Sequence, residues 1–153
     1  MALLILGVML WAAAHLFPTL GLNLRARIIQ RLGEGPYRGF FSFVIVLAVI
    51  LMVLGWNSAT PTLVYRAPSL GPPLTGMLML IAMVLFFAAR PKTNIKRALR
   101  HPQLIGVFVW ALAHLLANGD SRSVVLFGGL GIWTIVQIIA TNRRDGPWKK
   151  PDP

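Results

Sequence analysis

Five apolar runs, at about residues 2–21, 39–57, 73–90, 102–118 and 123–141, leave this chain little choice of solvent. The first is about 20 residues long, enough to span the roughly 30 Å hydrocarbon core of a bilayer. Backbone groups in lipid must be satisfied within the chain, so the runs are expected to be helices. Composition agrees: 56% of the 153 residues are hydrophobic and 12% are charged, with a mean hydropathy of +0.69. That balance is too apolar for an ordinary soluble domain and suits an all-α, polytopic membrane protein with five transmembrane helices.

The charge is lopsided, with 15 Lys and Arg against 4 Asp and Glu. In a soluble protein such an excess would suggest nucleic acid. Here the basic residues fall between the apolar runs, so topology explains them and no nucleic-acid partner is expected. The first connector holds Arg25, Arg27, Arg31 and Arg38. The third holds Arg90, Lys92, Lys96, Arg97 and Arg100, and the tail holds Arg143, Arg144, Lys149 and Lys150. The second and fourth connectors hold one basic residue each, Arg66 and Arg122. By the positive-inside rule the N-terminus is outside and the C-terminus cytoplasmic, as an odd number of spans requires. The chain thus divides into a five-helix transmembrane domain, 1–142, and a basic cytoplasmic tail, 143–153. The N-terminal run MALLILGVMLWAAAHLFPTLGL has no basic leader and reads as a retained first span rather than a cleaved signal.

The first connector carries a further pattern. Leu22, Leu24, Ile28, Ile29 and Leu32 alternate with arginines at near-helical spacing. Either a short amphipathic helix lies on the cytoplasmic face and offers its arginines to phospholipid, or the segment is a solvated basic loop.

Chemistry is concentrated in a repeat. Residues 11–16 read WAAAHL and residues 110–115 read WALAHL, each with Trp at i and His at i+4. Histidine inside a span is costly and usually faces the bundle interior. His15 lies about 5 Å to the cytoplasmic side of the midplane of the first span, and His114 about 5 Å to the periplasmic side in the fourth. The two spans run antiparallel, as an in-plane pseudo-two-fold axis would arrange them. Two imidazoles on facing helices can hold haem iron or another metal. Trp11 and Trp110 share a face with their histidines and would wall a planar ligand. Ala12 and Ala111 would leave room for it, and Asn118, one turn beyond His114, would hydrogen-bond to the histidine or to a ligand. The alternative is structural: each imidazole bonds to a carbonyl or hydroxyl on a neighbouring helix, and the repeat is chance.

Other chemistry is sparse. His101 opens the fourth span before Pro102, which suits a first helical turn. It lies about 220° around the helix and roughly 20 Å from His114, so the two cannot share a small site. Asp120 is placed to cap the last helix. GGLG at 128–131 sits inside an apolar run, where small residues serve close helix packing. Absence of cysteine excludes disulfides and thiolate chemistry,.

Two stretches carry a resemblance. RHPQLIGVFVWALAHLLANGDSRSVVLFGG at 100–129, and LRARIIQRLGEGPYRGFFS at 24–42 following HLFPTLG, resemble the signature of the NnrU family over everything but the tail from about 143. That family is associated with nitrite and nitric oxide reduction, and the resemblance implies a bacterial inner-membrane protein with respiratory or denitrification components as partners. The resemblance extends to 15-cis-ζ-carotene isomerase, which shares the domain and binds haem b. What it implies is haem ligation by His15 and His114. That isomerase has a cysteine three residues before its second ligand, where this chain has Ala111. RHPQLIG also resembles a segment of the isoprenylcysteine carboxyl methyltransferases, but their acidic, aromatic-rich cofactor segment does not follow residue 120. Three functions are therefore expected in order: a haem-binding protein, a non-catalytic membrane scaffold or assembly factor, and an isoprenoid or carotenoid isomerase-like enzyme.

Overall fold

The computed structural model describes residues 1–68, 71–89 and 93–150. Arg90 and Lys92 of the third connector, and the last three residues of the tail, lie outside the described residues. Seven helices are present among those described: α1 (Ala2–Leu20), α2 (Leu22–Leu32), α3 (Glu34–Ser58), α4 (Gly71–Ala88), α5 (Asn94–Ala98), α6 (Pro102–Ala117) and α7 (Ser121–Asp145). Each expected apolar run falls on a helix, the run at 73–90 as far as its described residues go. Three of them, α1, α3 and α7, are long and apolar enough to cross a membrane. α4 and α6 are shorter apolar helices. The chain forms two compact units, Met1–Thr60 and Pro61–Pro153.

In the first unit α1 and α3 pack antiparallel, and glycine sets their separation. A β-carbon at Gly55 would lie 2.2 Å from the Leu4 nitrogen, and one at Gly7 would lie 2.7 Å from the Met52 nitrogen. Both distances are below any real contact, so the backbones approach only because these side chains are absent. Leu4, Val8 and Ala48 fill the rest of the seam. The first connector is a helix, α2, which settles the choice between helix and loop. Gly33, at φ +86°, separates α2 from α3 in a backbone conformation that side chains disfavour,.

The second unit is built around α6. Its Gly106 meets the Ala82 carbonyl and the Phe86 nitrogen of α4, where a β-carbon would lie 2.8 Å from each. On another side Ala111 faces Gly131 of α7 at ordinary van der Waals distance. Of the glycines of GGLG, expected to serve packing, Gly131 lies in this seam, whereas a β-carbon at Gly128 would meet nothing within 4 Å. Ala111 is buried in that seam, so its small size is used by α7. At the far end His101 Nε2 donates to Asn142 Oδ1 at 2.8 Å, and Arg100 donates to the Gly146 carbonyl at 2.8 Å, which ties the start of α6 to the end of α7.

Asp120 caps α7 as expected, accepting from the Arg122 and Ser123 nitrogens at 3.0 and 3.2 Å. Its cap is part of a longer strap. The backbone of residues 62–65 hydrogen-bonds to Gly119 and Ser121. The Tyr65 hydroxyl donates to the Leu115 carbonyl and shares that proton with the Asn118 carbonyl at 2.9 Å. Gly119 is obligatory here, because a β-carbon would fall 1.9 Å from the Tyr65 oxygen. The last carbonyls of a helix have no partner on their own helix. At 16 residues, α6 is only about 24 Å long, shorter than a bilayer core. Its end needs donors from elsewhere, and Tyr65 supplies one.

Candidate functional site

The two histidines sit in matching local settings, one in each unit. His15 Nδ1 and the Trp11 carbonyl are 2.9 Å apart, and His114 Nδ1 and the Trp110 carbonyl are also 2.9 Å apart. A carbonyl only accepts, so Nδ1 is the protonated nitrogen in both rings. In the neutral tautomer this leaves the lone pair on Nε2. A backbone carbonyl on Nδ1 is the usual outer support of a metal-ligating histidine, since it fixes ring orientation and raises the basicity of the other nitrogen. The local helix makes the arrangement automatic: a side chain at i+4 leans back toward the carbonyl at i.

In the first unit the His15 ring lies 4.3 Å from the Trp11 ring, centroid to centroid, tilted by 35°. Phe41 of α3 approaches its edge at 5.9 Å. In the second unit the His114 ring is 4.8 Å from Trp110 and stacks on Phe127 at 4.2 Å with a 22° interplanar angle. Phe127 also meets Trp110 edge-on at 5.0 Å. Both tryptophans therefore lie where the repeat placed them, each beside its own histidine. Asn118 meets His114 at the backbone: its side-chain amide donates to the His114 carbonyl at 3.1 Å, and its own N–H donates to the same oxygen at 2.8 Å. That is a helix-capping arrangement. His101 stands at the start of α6 and bonds to α7, away from this cluster, as its spacing required.

Two contributors were not legible in the sequence. Phe41 and Phe127 are ordinary residues of apolar helices with nothing in their spacing to mark them. Phe127 lies in a π-helical stretch, Val124–Gly128, inside α7. Such an extra residue in one turn re-aims the side chains around it and recurs at functional sites. No simple residue signature predicts that step.

Among the described residues no three His, Cys, Asp or Glu side chains form a metal-binding group. Haem asks for less, since its iron takes only its axial ligands from the protein. Each unit contributes one imidazole with Nδ1 on a backbone carbonyl and aromatic neighbours, the kind of side chain such axial ligation uses,.

An all-helical chain with three apolar helices of membrane-crossing length is a helical membrane protein. More specifically, it belongs to the NnrU family: the family's model, described as NnrU protein, matches residues 3–153. The match continues through the basic tail, which the resemblance of the two motifs had left outside. No curated protein and no solved structure matches the chain.

Proposed function

We propose that this NnrU-family protein is a five-span inner-membrane haem protein, with its N-terminus outside and its C-terminus in the cytoplasm. His15 and His114 supply the axial imidazoles for one haem b, and Trp11 and Trp110 flank the ring. The observation that carries this reading is the identical support of the two histidines, each with Nδ1 committed to the carbonyl of a tryptophan one turn earlier. The haem would supply one-electron or gas-ligand chemistry at its iron, in keeping with a link to nitrite and nitric oxide reduction. The chain's own part is to hold each Nε2 in the ligating orientation and to surround the rings with aromatic, water-poor surface.

A carotenoid isomerase-like mechanism based on a thiol switch finds no thiol here, and Ala111 occupies the position where one would be needed. The scaffold alternative expects imidazoles bonded across helices; the haem reading rests instead on the Nδ1 bonds, which are made within α1 and within α6.

The test is the visible absorption spectrum of the detergent-purified protein, expressed with ample haem supply, beside His15→Ala and His114→Ala. A Soret band in the parent, lost or shifted in each variant, is the expected result. A colourless parent that stays colourless after reconstitution with haem would sink the reading and leave a scaffold in its place.

A further inference from the structure

The haem reading leaves the most unusual surface of the first unit without a role. α2 has 11 residues and a length of only about 16 Å, far too short to cross a bilayer. Projected at the helical period, its leucines and isoleucines fall on one broad arc, and Asn23, Arg27, Gln30 and Arg31 fall on the other. No residue of α2 is buried. Leu22, Leu24 and Leu32 are 47, 54 and 63% exposed. A short helix with an uncovered apolar arc and a cationic face belongs at the boundary between headgroups and acyl chains.

Arg25 breaks that pattern. It projects from the apolar arc, and its guanidinium carbon lies 5.6 Å from the centroid of the Tyr37 ring on α3. Tyr37 is only 9% exposed. Its hydroxyl and the Arg25 Nε are both covered, and neither has a hydrogen-bond partner. Buried polar groups are normally satisfied, so two orphaned donors in one patch, one of them on a fixed cation, call for an anionic acceptor. The first unit has no uncommitted carboxylate to offer. Glu34 is the one acid in residues 1–60, and it is held by Arg38 at 2.6 Å.

We propose that α2 rests in the membrane interface and that Arg25 and Tyr37 form a binding site for the phosphodiester of an anionic phospholipid. Charge favours this occupant: residues 1–60 carry four arginines against one glutamate. Arginine suits the group because its fork of donors matches two phosphate oxygens at once. Arg27 and Arg31, on the opposite arc, add a diffuse attraction to the same leaflet.

The full chain, purified in mild detergent, is mixed with micelles containing phosphatidylglycerol or phosphatidylcholine, and retained lipid is counted by native mass spectrometry. Preferential retention of phosphatidylglycerol is expected. Arg25→Gln weakens that retention about tenfold, the loss of one charge-assisted hydrogen bond. Tyr37→Phe weakens it less, and Arg143→Gln, in the tail, leaves it unchanged. Should Arg25→Gln fail to fold, Tyr37→Phe, which removes only one oxygen, decides the matter. Equal losses from Arg25→Gln and Arg143→Gln would mean general charge attraction and overturn the site. Displacement of the lipid by millimolar inorganic phosphate would reassign the patch to a free anion and overturn it equally. The haem spectrum of the parent has no bearing on either result.

Discussion

Tyr65 shows how much a single hydroxyl can matter at the end of a short apolar helix. Removing it leaves the Leu115 carbonyl at the end of α6 without the donor described above. This bond is part-buried, so its loss is expected to cost about 1 kcal/mol, the low end of the range for an acceptor stripped of its partner. Tyr65→Phe is therefore expected to lower the thermal midpoint of the detergent-solubilised protein while leaving the helices formed. The same strap gives the stability a pH profile. Burial raises the Tyr65 pKa, and the Asp120 charge adds to it. The stability so linked is complete below the unfolded value near pH 10 and is lost as pH rises through the higher folded value. For Asp120, burial alone would raise the carboxyl. The Ser123 and Arg122 hydrogen bonds and the Arg122 charge outweigh it and hold the group below the usual carboxylate range. Its contribution is present above the unfolded value near pH 4 and is lost as pH falls through the folded one. Unfolding followed by circular dichroism across pH should thus show a flatter alkaline limb in Tyr65→Phe and a flatter acid limb in Asp120→Asn; unchanged limbs in both would remove the strap from the account. Asp120 was legible in the sequence because capping is local. Tyr65 was not, because its partners lie fifty positions away and no periodicity connects them.

At the scale of the element, glycine in one helix does two opposite things. α3 contains Gly55, where an added β-carbon would strike the α1 backbone at 2.2 Å, and Gly39, which has nothing within 4 Å. Gly55→Ala should force α1 and α3 apart and destabilise the protein by about 1–3 kcal/mol, the range for overpacked sites. Gly39→Ala should be neutral or stabilising by up to about 1 kcal/mol, since alanine is the better helix former and meets no neighbour. Thermal unfolding of the two variants beside the parent decides between them, and matching shifts would contradict the α1–α3 seam. Hydropathy located every apolar helix because burial in lipid is written into composition. It did not locate the helix ends. α7 runs from Ser121 to Asp145, beyond the apolar run at 123–141, because Asp120 and the positive-φ Gly146 set its limits. α2 was left open between helix and loop for the same reason. Its ends are set by Gly21 and Gly33, while its apolar content is compatible with either state.

For the whole molecule the sequence speaks mainly through the distribution of charge. The basic residues crowd the first and third connectors and the tail, while the second and fourth connectors hold one each. Translocating a cluster of arginines costs more than retaining it, so the proposed topology keeps those segments in the cytoplasm and alternates through five spans. Helix length supports three crossings, α1, α3 and α7, whereas the proposed topology also asks the shorter α4 and α6 to cross. The difference is physical. α6 is packed in a seam with α4 and α7 and has its last carbonyls satisfied by Tyr65 and Asn118, so it can end within the bilayer without exposing polar backbone to lipid. Topology can be read directly because the chain has no cysteine and every introduced thiol reports alone. Asn23→Cys on α2, Ser58→Cys at the end of α3 and Lys149→Cys in the tail are all at exposed positions. In spheroplasts a membrane-impermeant maleimide should label Ser58→Cys at once, and the other two only after the membrane is opened. Labelling of Ser58→Cys and Asn23→Cys from the same side would mean that α3 does not cross. Labelling of Ser58→Cys and Lys149→Cys from the same side would leave an even number of crossings after α3. Placing His15 and His114 on antiparallel spans, and with it the shared iron site, would then lose its basis.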